Sequence, residues 1–141
     1  MTRVALGRAS LIAAGIATTL MGAFHFLLPQ VFGWAPFLQP LPPELRWALI
    51  AMNAFLSLLL LMGGLASLWA ARARRSLVAL PELPMAIFWG FNAGYQLVRP
   101  FPTPGVRWVL LGFAAATALL YVLALWAQIA SQPSVTAQRA A

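Results

Sequence analysis

Four long stretches of apolar residues follow one another along the chain, separated by short segments that carry most of the charges. They cover residues 9–28, 47–71, 83–98 and 106–127. A helix needs about 20 mainly apolar residues to cross a bilayer, and each stretch comes near this length. The pattern predicts an all-α membrane protein, an antiparallel four-transmembrane-helix bundle forming one domain over residues 1–130. Residues 131–141 are polar and are predicted to form a flexible cytoplasmic tail.

Proline and arginine mark the predicted ends of these stretches. Pro29 is predicted to stop the first, and Arg72 closes the second. The pairs Pro43-Glu44 and Pro81-Glu82 are typical helix starts, because proline suits a first turn and a carboxylate favours the positive end of the helix dipole. The first stretch could also be a cleaved signal peptide, but it is long for one. We expect a retained helix.

Composition and charge fit the membrane prediction. Hydrophobic residues make up 62% of the chain and charged residues 8%, whereas a soluble domain carries about 25% charged residues. The net charge is +7 and every basic residue is an arginine. These arginines form no basic face with exposed aromatic residues, so we expect membrane lipids as partners and no nucleic acid. The absence of cysteine excludes disulfides and thiolate chemistry.

The distribution of arginine predicts how the protein is oriented. Six arginines lie in the N-terminal segment, the second connection and the tail. The first and third connections hold three, Arg46, Arg99 and Arg107. Cytoplasmic segments of membrane proteins carry the excess of basic residues. We therefore expect a multi-pass protein of the bacterial inner membrane with both termini in the cytoplasm.

Uncharged polar residues within the predicted spans gather at one depth near the non-cytoplasmic surface. Counting about 1.5 Å per residue places them roughly 5–10 Å below the outer ends of their helices. The candidate ligand-binding residues are His25, Asn53, Asn92, Tyr95 and Gln96, with Arg99 as a lid. Two interpretations remain open. The cluster is either a hydrogen-bond network that locks the helices together or a pocket for a small ligand.

Small and polar residues also recur at helical spacing, which indicates helix–helix contact in a membrane. One such face on the first helix combines Gly15, Thr18, Gly22 and His25, and one on the third combines Trp89, Asn92, Gln96 and Arg99. One on the second combines Asn53, Ser57, Leu60, Gly64 and Ser67. Gly90 and Gly94 form a GxxxG pair on the opposite side of the third helix from Gln96, and they predict a homodimer.

The chemistry of the chain favours a non-enzymatic role. A single histidine and the absence of aspartate supply no catalytic set, and we expect no metal site and no cofactor. The leading expectation is an integral membrane protein that serves as an accessory subunit of a larger complex, or that binds a small amphipathic ligand at the outer leaflet. The alternative is a subunit of a quinone-linked or redox membrane enzyme. A small transporter acting as a dimer is the third.

Several short motifs resemble a group of small four-span bacterial membrane proteins. They are the run from His25 to Pro29, the triplet Phe32-Gly33-Trp34, Arg46 followed by Asn53, and Phe88-Trp89 followed by Gln96. The resemblance covers most of the chain and implies a fold but no activity. Asn92 departs from it, because the group has a basic residue there. In size and number of spans the chain is also similar to DoxX-like proteins.

Overall fold

The residues that the structure describes form five α-helices. The structure is a computed structural model that describes residues 2–73 and 81–131, and within these ranges it contains no strand. The helices are α1 (Arg3–Val31), α2 (Ala35–Leu38), α3 (Pro43–Ala73), α4 (Glu82–Val98) and α5 (Pro104–Ile129). The predicted tail, beyond Ser131, lies outside the described residues, as do Arg74 and Arg75. The all-α prediction is confirmed.

Three of the described helices, α1, α3 and α5, are long and apolar enough to cross a membrane. α4 has only 17 residues. Many large apolar side chains point outward from the long helices, among them Phe55 and Val109 at 69% exposure each. A soluble protein rarely exposes so much contiguous apolar surface. Length, composition and exposure together indicate a membrane-spanning protein.

The helix starts agree with prediction, and one helix end does not. α3 begins at Pro43 and α4 at Glu82, as the Pro-Glu pairs predict. The prediction that Pro29 ends the first helix is wrong, because α1 continues to Val31. The end is set instead by Gly33, whose φ of 56° lies in the left-handed region. Gly33 N donates to Gln30 O and Trp34 N to Pro29 O, the pair of bonds that closes a Schellman end.

The closest contact between helices is the crossing of α1 and α3. A Cβ added at Gly22 would lie 2.7 Å from Leu61 N, and one added at Gly15 would lie 3.1 Å from Gly64 O. Residue numbers rise along α1 as they fall along α3, so the two helices are antiparallel. The predicted faces are confirmed, because Thr18, Ser57 and Ser67 are all fully buried. Glycine is needed here because the two backbones touch.

The remaining helices extend this pair. α5 packs against α1 and α4. Along α4 and α5, Gln128 pairs with Glu82 and Phe113 with Trp89, so these helices are also antiparallel. The last residues of α1 and α4 therefore meet the first residues of α3 and α5 at one end of the fold. We refer to this as the upper end, and to the opposite end as the lower end.

Candidate functional site

All six predicted site residues lie toward the upper end, and one hydrogen bond joins two of them. Asn53 Nδ2 donates to the backbone oxygen of His25 over 2.9 Å. In a helix that oxygen would accept from the N–H four residues later, but residue 29 is proline and has no N–H. Asn53 therefore satisfies the carbonyl that Pro29 leaves free. This contact explains how α1 continues through a proline in an apolar setting.

The four predicted residues on α4 and at its end are spread around the helix. Asn92 and Gln96 are half-buried, whereas Tyr95 and Arg99 are exposed. Tyr95 stacks on Phe91 with ring centroids 6.4 Å apart. Among the described residues, no hydrogen bond joins these four side chains to His25 or Asn53. The direct pairing within the predicted cluster is thus limited to His25 and Asn53.

Gln96 and His25 nevertheless lie at the same level. Trp89 Nε1 donates to Thr18 Oγ1 over 3.0 Å, which brings α4 and α1 together. The two helices run in the same direction, and His25 and Gln96 each lie seven residues further along. Seven residues are about two helical turns. His25 and Gln96 therefore come from the same faces that carry the Thr18–Trp89 contact.

Unpartnered buried polar atoms are concentrated at this upper end. Among the described residues, such atoms at this end are His25 Nδ1, Arg46 Nε, Gln96 Oε1 and Arg107 Nε. They come from α1, α3, α4 and α5. Buried polar groups in proteins are nearly always hydrogen-bonded, to protein, water or ligand. Four such atoms on four helices make this end of the fold the candidate functional site.

Sequence reasoning assigned Arg46 and Arg107 to orientation and missed them as site residues. Each lies in the first turn of its helix, α3 or α5. The Arg46 guanidinium donates to Gln39 O over 2.9 Å and to Leu41 O over 3.3 Å. The Arg107 guanidinium carbon lies 4.7 Å from the centroid of the Trp108 ring. Both groups are held by neighbouring structure, and each keeps one buried N–H unpartnered.

A second polar cluster crosses the core and involves α1, α3, α4 and α5. Tyr121 OH lies 3.1 Å from Thr18 Oγ1 and 3.0 Å from Ser67 Oγ. Trp89 Nε1 can only donate, to Thr18, and the Ser67 hydroxyl donates to Gly63 O over 2.7 Å. Because each hydroxyl has one proton, the order is Trp89 to Thr18 to Tyr121 to Ser67 to Gly63. Every member is satisfied, so this cluster is structural.

The lower half of the fold also contains buried polar groups. Besides Tyr121, it contains Glu82, whose side chain is fully buried. Gln128 Nε2 donates to Glu82 Oε1 over 2.7 Å, and Oε2 has no partner among the described residues. Glu82 begins α4 as predicted. Its burial depends on coverage by the end of α5, which a pattern read along the chain does not reveal.

The GxxxG pair on α4 lies on an open surface. A Cβ added at Gly90 or Gly94 would meet no atom within 4 Å. This placement differs from that of Gly22 and Gly64, which are pressed against a neighbouring helix. The predicted homodimer through Gly90 and Gly94 stays a prediction.

Comparison with known proteins yields no match. No family model matches the chain, and neither a curated protein nor a solved structure is found to match it. The resemblance to small four-span bacterial proteins stays a prediction. What the protein binds must be inferred from its own side chains.

The pairing of Asn53 with the carbonyl freed by Pro29 can be tested by a double-mutant cycle. Asn53→Leu should destabilise the protein by about 1–2 kcal/mol, because the buried His25 oxygen loses its donor. In a Pro29→Ala background, Asn53→Leu should lower the free energy of unfolding by less, since the alanine N–H donates a hydrogen bond to the His25 oxygen. Unfolding free energies of the four proteins in detergent give the coupling. Equal costs of Asn53→Leu in both backgrounds would contradict the assignment.

Proposed function

We propose that the protein is a four-span antiparallel bundle of the bacterial inner membrane, with both termini cytoplasmic. α4 is about 26 Å long at 1.5 Å per residue, a few ångströms short of a hydrocarbon core of about 30 Å. A modest local thinning of the bilayer accommodates such a mismatch. The excess of arginine in the terminal segments and the second connection supports this orientation. The upper end is then the outer, non-cytoplasmic end.

The proposed function is binding of a small amphipathic molecule at the outer leaflet, without catalysis. The observation that carries it is the group of four unpartnered buried atoms at the upper end. Arg46 Nε and Arg107 Nε are donors, Gln96 Oε1 is an acceptor, and His25 Nδ1 can be either. A ligand head with acceptor oxygens and one hydroxyl would satisfy this set. Its apolar part would remain in the lipid beside the helices.

Mass spectrometry of small molecules retained after purification in mild detergent tests this function. The comparison is between the wild type and a His25→Ala, Gln96→Ala double variant. We expect a molecule retained by the wild type to fall about tenfold in the variant, since two hydrogen bonds of about 0.7 kcal/mol each amount to a factor of ten. The Gln39→Ala variant is the matched control, because Gln39 is an exposed glutamine at the same end.

The outcome distinguishes the proposed function from its alternatives. A retained quinone, or a visible absorption band of another redox group, would favour the redox subunit. If the wild type and the double variant retain the same molecules in equal amounts, the upper-end cluster is structural and the ligand proposal is wrong. A stable protein complex with no bound small molecule would then favour an accessory subunit.

A further inference from the structure

An apolar groove runs between α3 and α4 in the lower half of the fold. Its volume is about 450 Å³. The residues that form its walls include Leu59, Met62, Ala66 and Trp69 from α3, and Pro84 and Met85 from α4. None of the described residues that line it is charged. The groove is far along the helices from the upper-end cluster, so it is a separate feature.

The groove opens sideways, toward the surroundings of the helices. Met62 and Trp69, which line it, are 63% and 61% exposed. At Gly63 the Met85 side chain of α4 reaches α3, since a Cβ there would lie 2.5 Å from Met85 Sδ. The contact between the two walls at that point is made by this side chain, and the groove lies beside it. An opening at this position faces lipid, and not water, when α3 crosses the membrane.

The size and lining of the groove fit one lipid chain. A water molecule occupies about 30 Å³, and a methylene group is similar in size, so the groove holds about 15 such groups. This is most of an ordinary phospholipid acyl chain. Among the described lining residues the indole N–H of Trp69 is the only side-chain hydrogen-bonding group, so a polar ligand would lose most of its hydration there without compensation.

Positive charge lies next to one end of the groove. Ala73 lines it, and Arg72 is the exposed residue before Ala73 in the last turn of α3. The sequence continues with Arg74 and Arg75, which lie outside the described residues. Glu82, at the start of α4, is buried and bonded to Gln128, so it does not face this charge from the surface. The charge complements a lipid phosphate at the lower surface.

We propose that this groove is a binding site for an anionic phospholipid. One acyl chain lies between α3 and α4, and the headgroup phosphate lies beside Arg72 at the lower membrane surface. The site is independent of the ligand proposed for the upper end. It would retain a lipid whether or not that other ligand exists.

Native mass spectrometry of protein released from bilayers of phosphatidylglycerol and phosphatidylcholine tests the site. Ala66→Trp fills the groove and should lower the number of retained lipids at least fivefold. Ala115→Trp is the matched control, because Ala115 is an exposed alanine on α5, and it should leave retention unchanged. Ala66→Leu is a smaller filling variant that serves if the tryptophan variant does not fold.

The charge is tested separately. Arg72→Gln should lower the preference for phosphatidylglycerol over phosphatidylcholine about fivefold, the effect of one arginine near a membrane surface. Arg8→Gln, which removes an exposed arginine from α1, should not. Equal lipid retention by Ala66→Trp and Ala115→Trp would overturn the proposal. Loss of a dimer in Ala66→Trp alone, with retention unchanged, would also overturn it and assign the groove to a second copy of the chain.

Discussion

Replacing Gly64 with valine is expected to destabilise the protein by about 3 kcal/mol or more, the upper part of the range for overpacking a tight interior. A Cβ at this position would overlap Thr19 Oγ1 and would lie 2.6 Å from Thr19 N and 2.9 Å from Gly15 O. Two of these three atoms belong to the α1 backbone and cannot move by a change of rotamer. The helices α1 and α3 would have to separate, and the contacts along their crossing would be lost.

Gly112→Val is the matched control for this prediction. Gly112 lies in the middle stretch of α5, and a Cβ there would meet no atom within 4 Å. Any change of stability in this variant reflects helix propensity, which amounts to less than about 1 kcal/mol between glycine and valine. Reversible unfolding in detergent micelles gives the free energy of unfolding of both variants. If Gly64→Val and Gly112→Val are equally stable, α1 and α3 are not in backbone contact at Gly64.

The second large effect is expected from Tyr121→Ala, at about 3–5 kcal/mol, the range for removing a buried aromatic ring. Tyr121 is fully buried and is among the largest side chains with no exposure. Truncation leaves a cavity at the centre of the fold. It also removes the hydroxyl that accepts from Thr18 and donates to Ser67.

Tyr121→Phe separates the two contributions, because it keeps the ring and removes only the hydroxyl. Hydrogen bonds between membrane helices average about 0.6 kcal/mol each, so two lost bonds should cost about 1.2 kcal/mol. Tyr95→Phe is the control at an exposed tyrosine and should be neutral. A cost for Tyr121→Phe as large as for Tyr121→Ala would show that the hydrogen-bond chain, and not packing, holds the core. No cost in either variant would contradict the burial of Tyr121.

Several features of the fold were predictable because they depend on neighbours in sequence. The four apolar stretches all became helices, and the Pro-Glu pairs marked the starts of α3 and α4. The end of α1 was not predicted correctly. The sequence predicts a stop at Pro29, but Asn53 on another helix replaces the missing donor. The short helix α2, in the first connection, was also missed, since four residues with two prolines nearby give no periodic signal.

The sequence predicts the depth of the candidate site in the membrane, but it identifies only some of the residues of the site. Counting along the helices predicts that His25 and Gln96 lie at one level, and each lies seven residues beyond a member of the Thr18–Trp89 hydrogen bond. Arg46 and Arg107 were counted only as charges, because nothing local distinguishes an arginine at the membrane surface from one with a buried N–H. Tyr95 matched the pattern but is exposed. A shift of one residue turns a side chain by 100° around a helix, so depth alone does not decide direction.

The chain by itself was sufficient to define a helical membrane protein, the approximate bounds of its long helices and its faces of small residues, because the preference for lipid or water is a property of each segment. Only the folded arrangement decided which polar atoms are satisfied. The bond between Thr18 and Tyr121 joins residues 103 positions apart, and that between Trp89 and Thr18 joins residues 71 apart. Such contacts depend on how each helix is rotated and offset against its neighbours. Packing of whole helices sets that rotation, and it gives the Thr18 hydroxyl two partners and His25 Nδ1 none among the described residues.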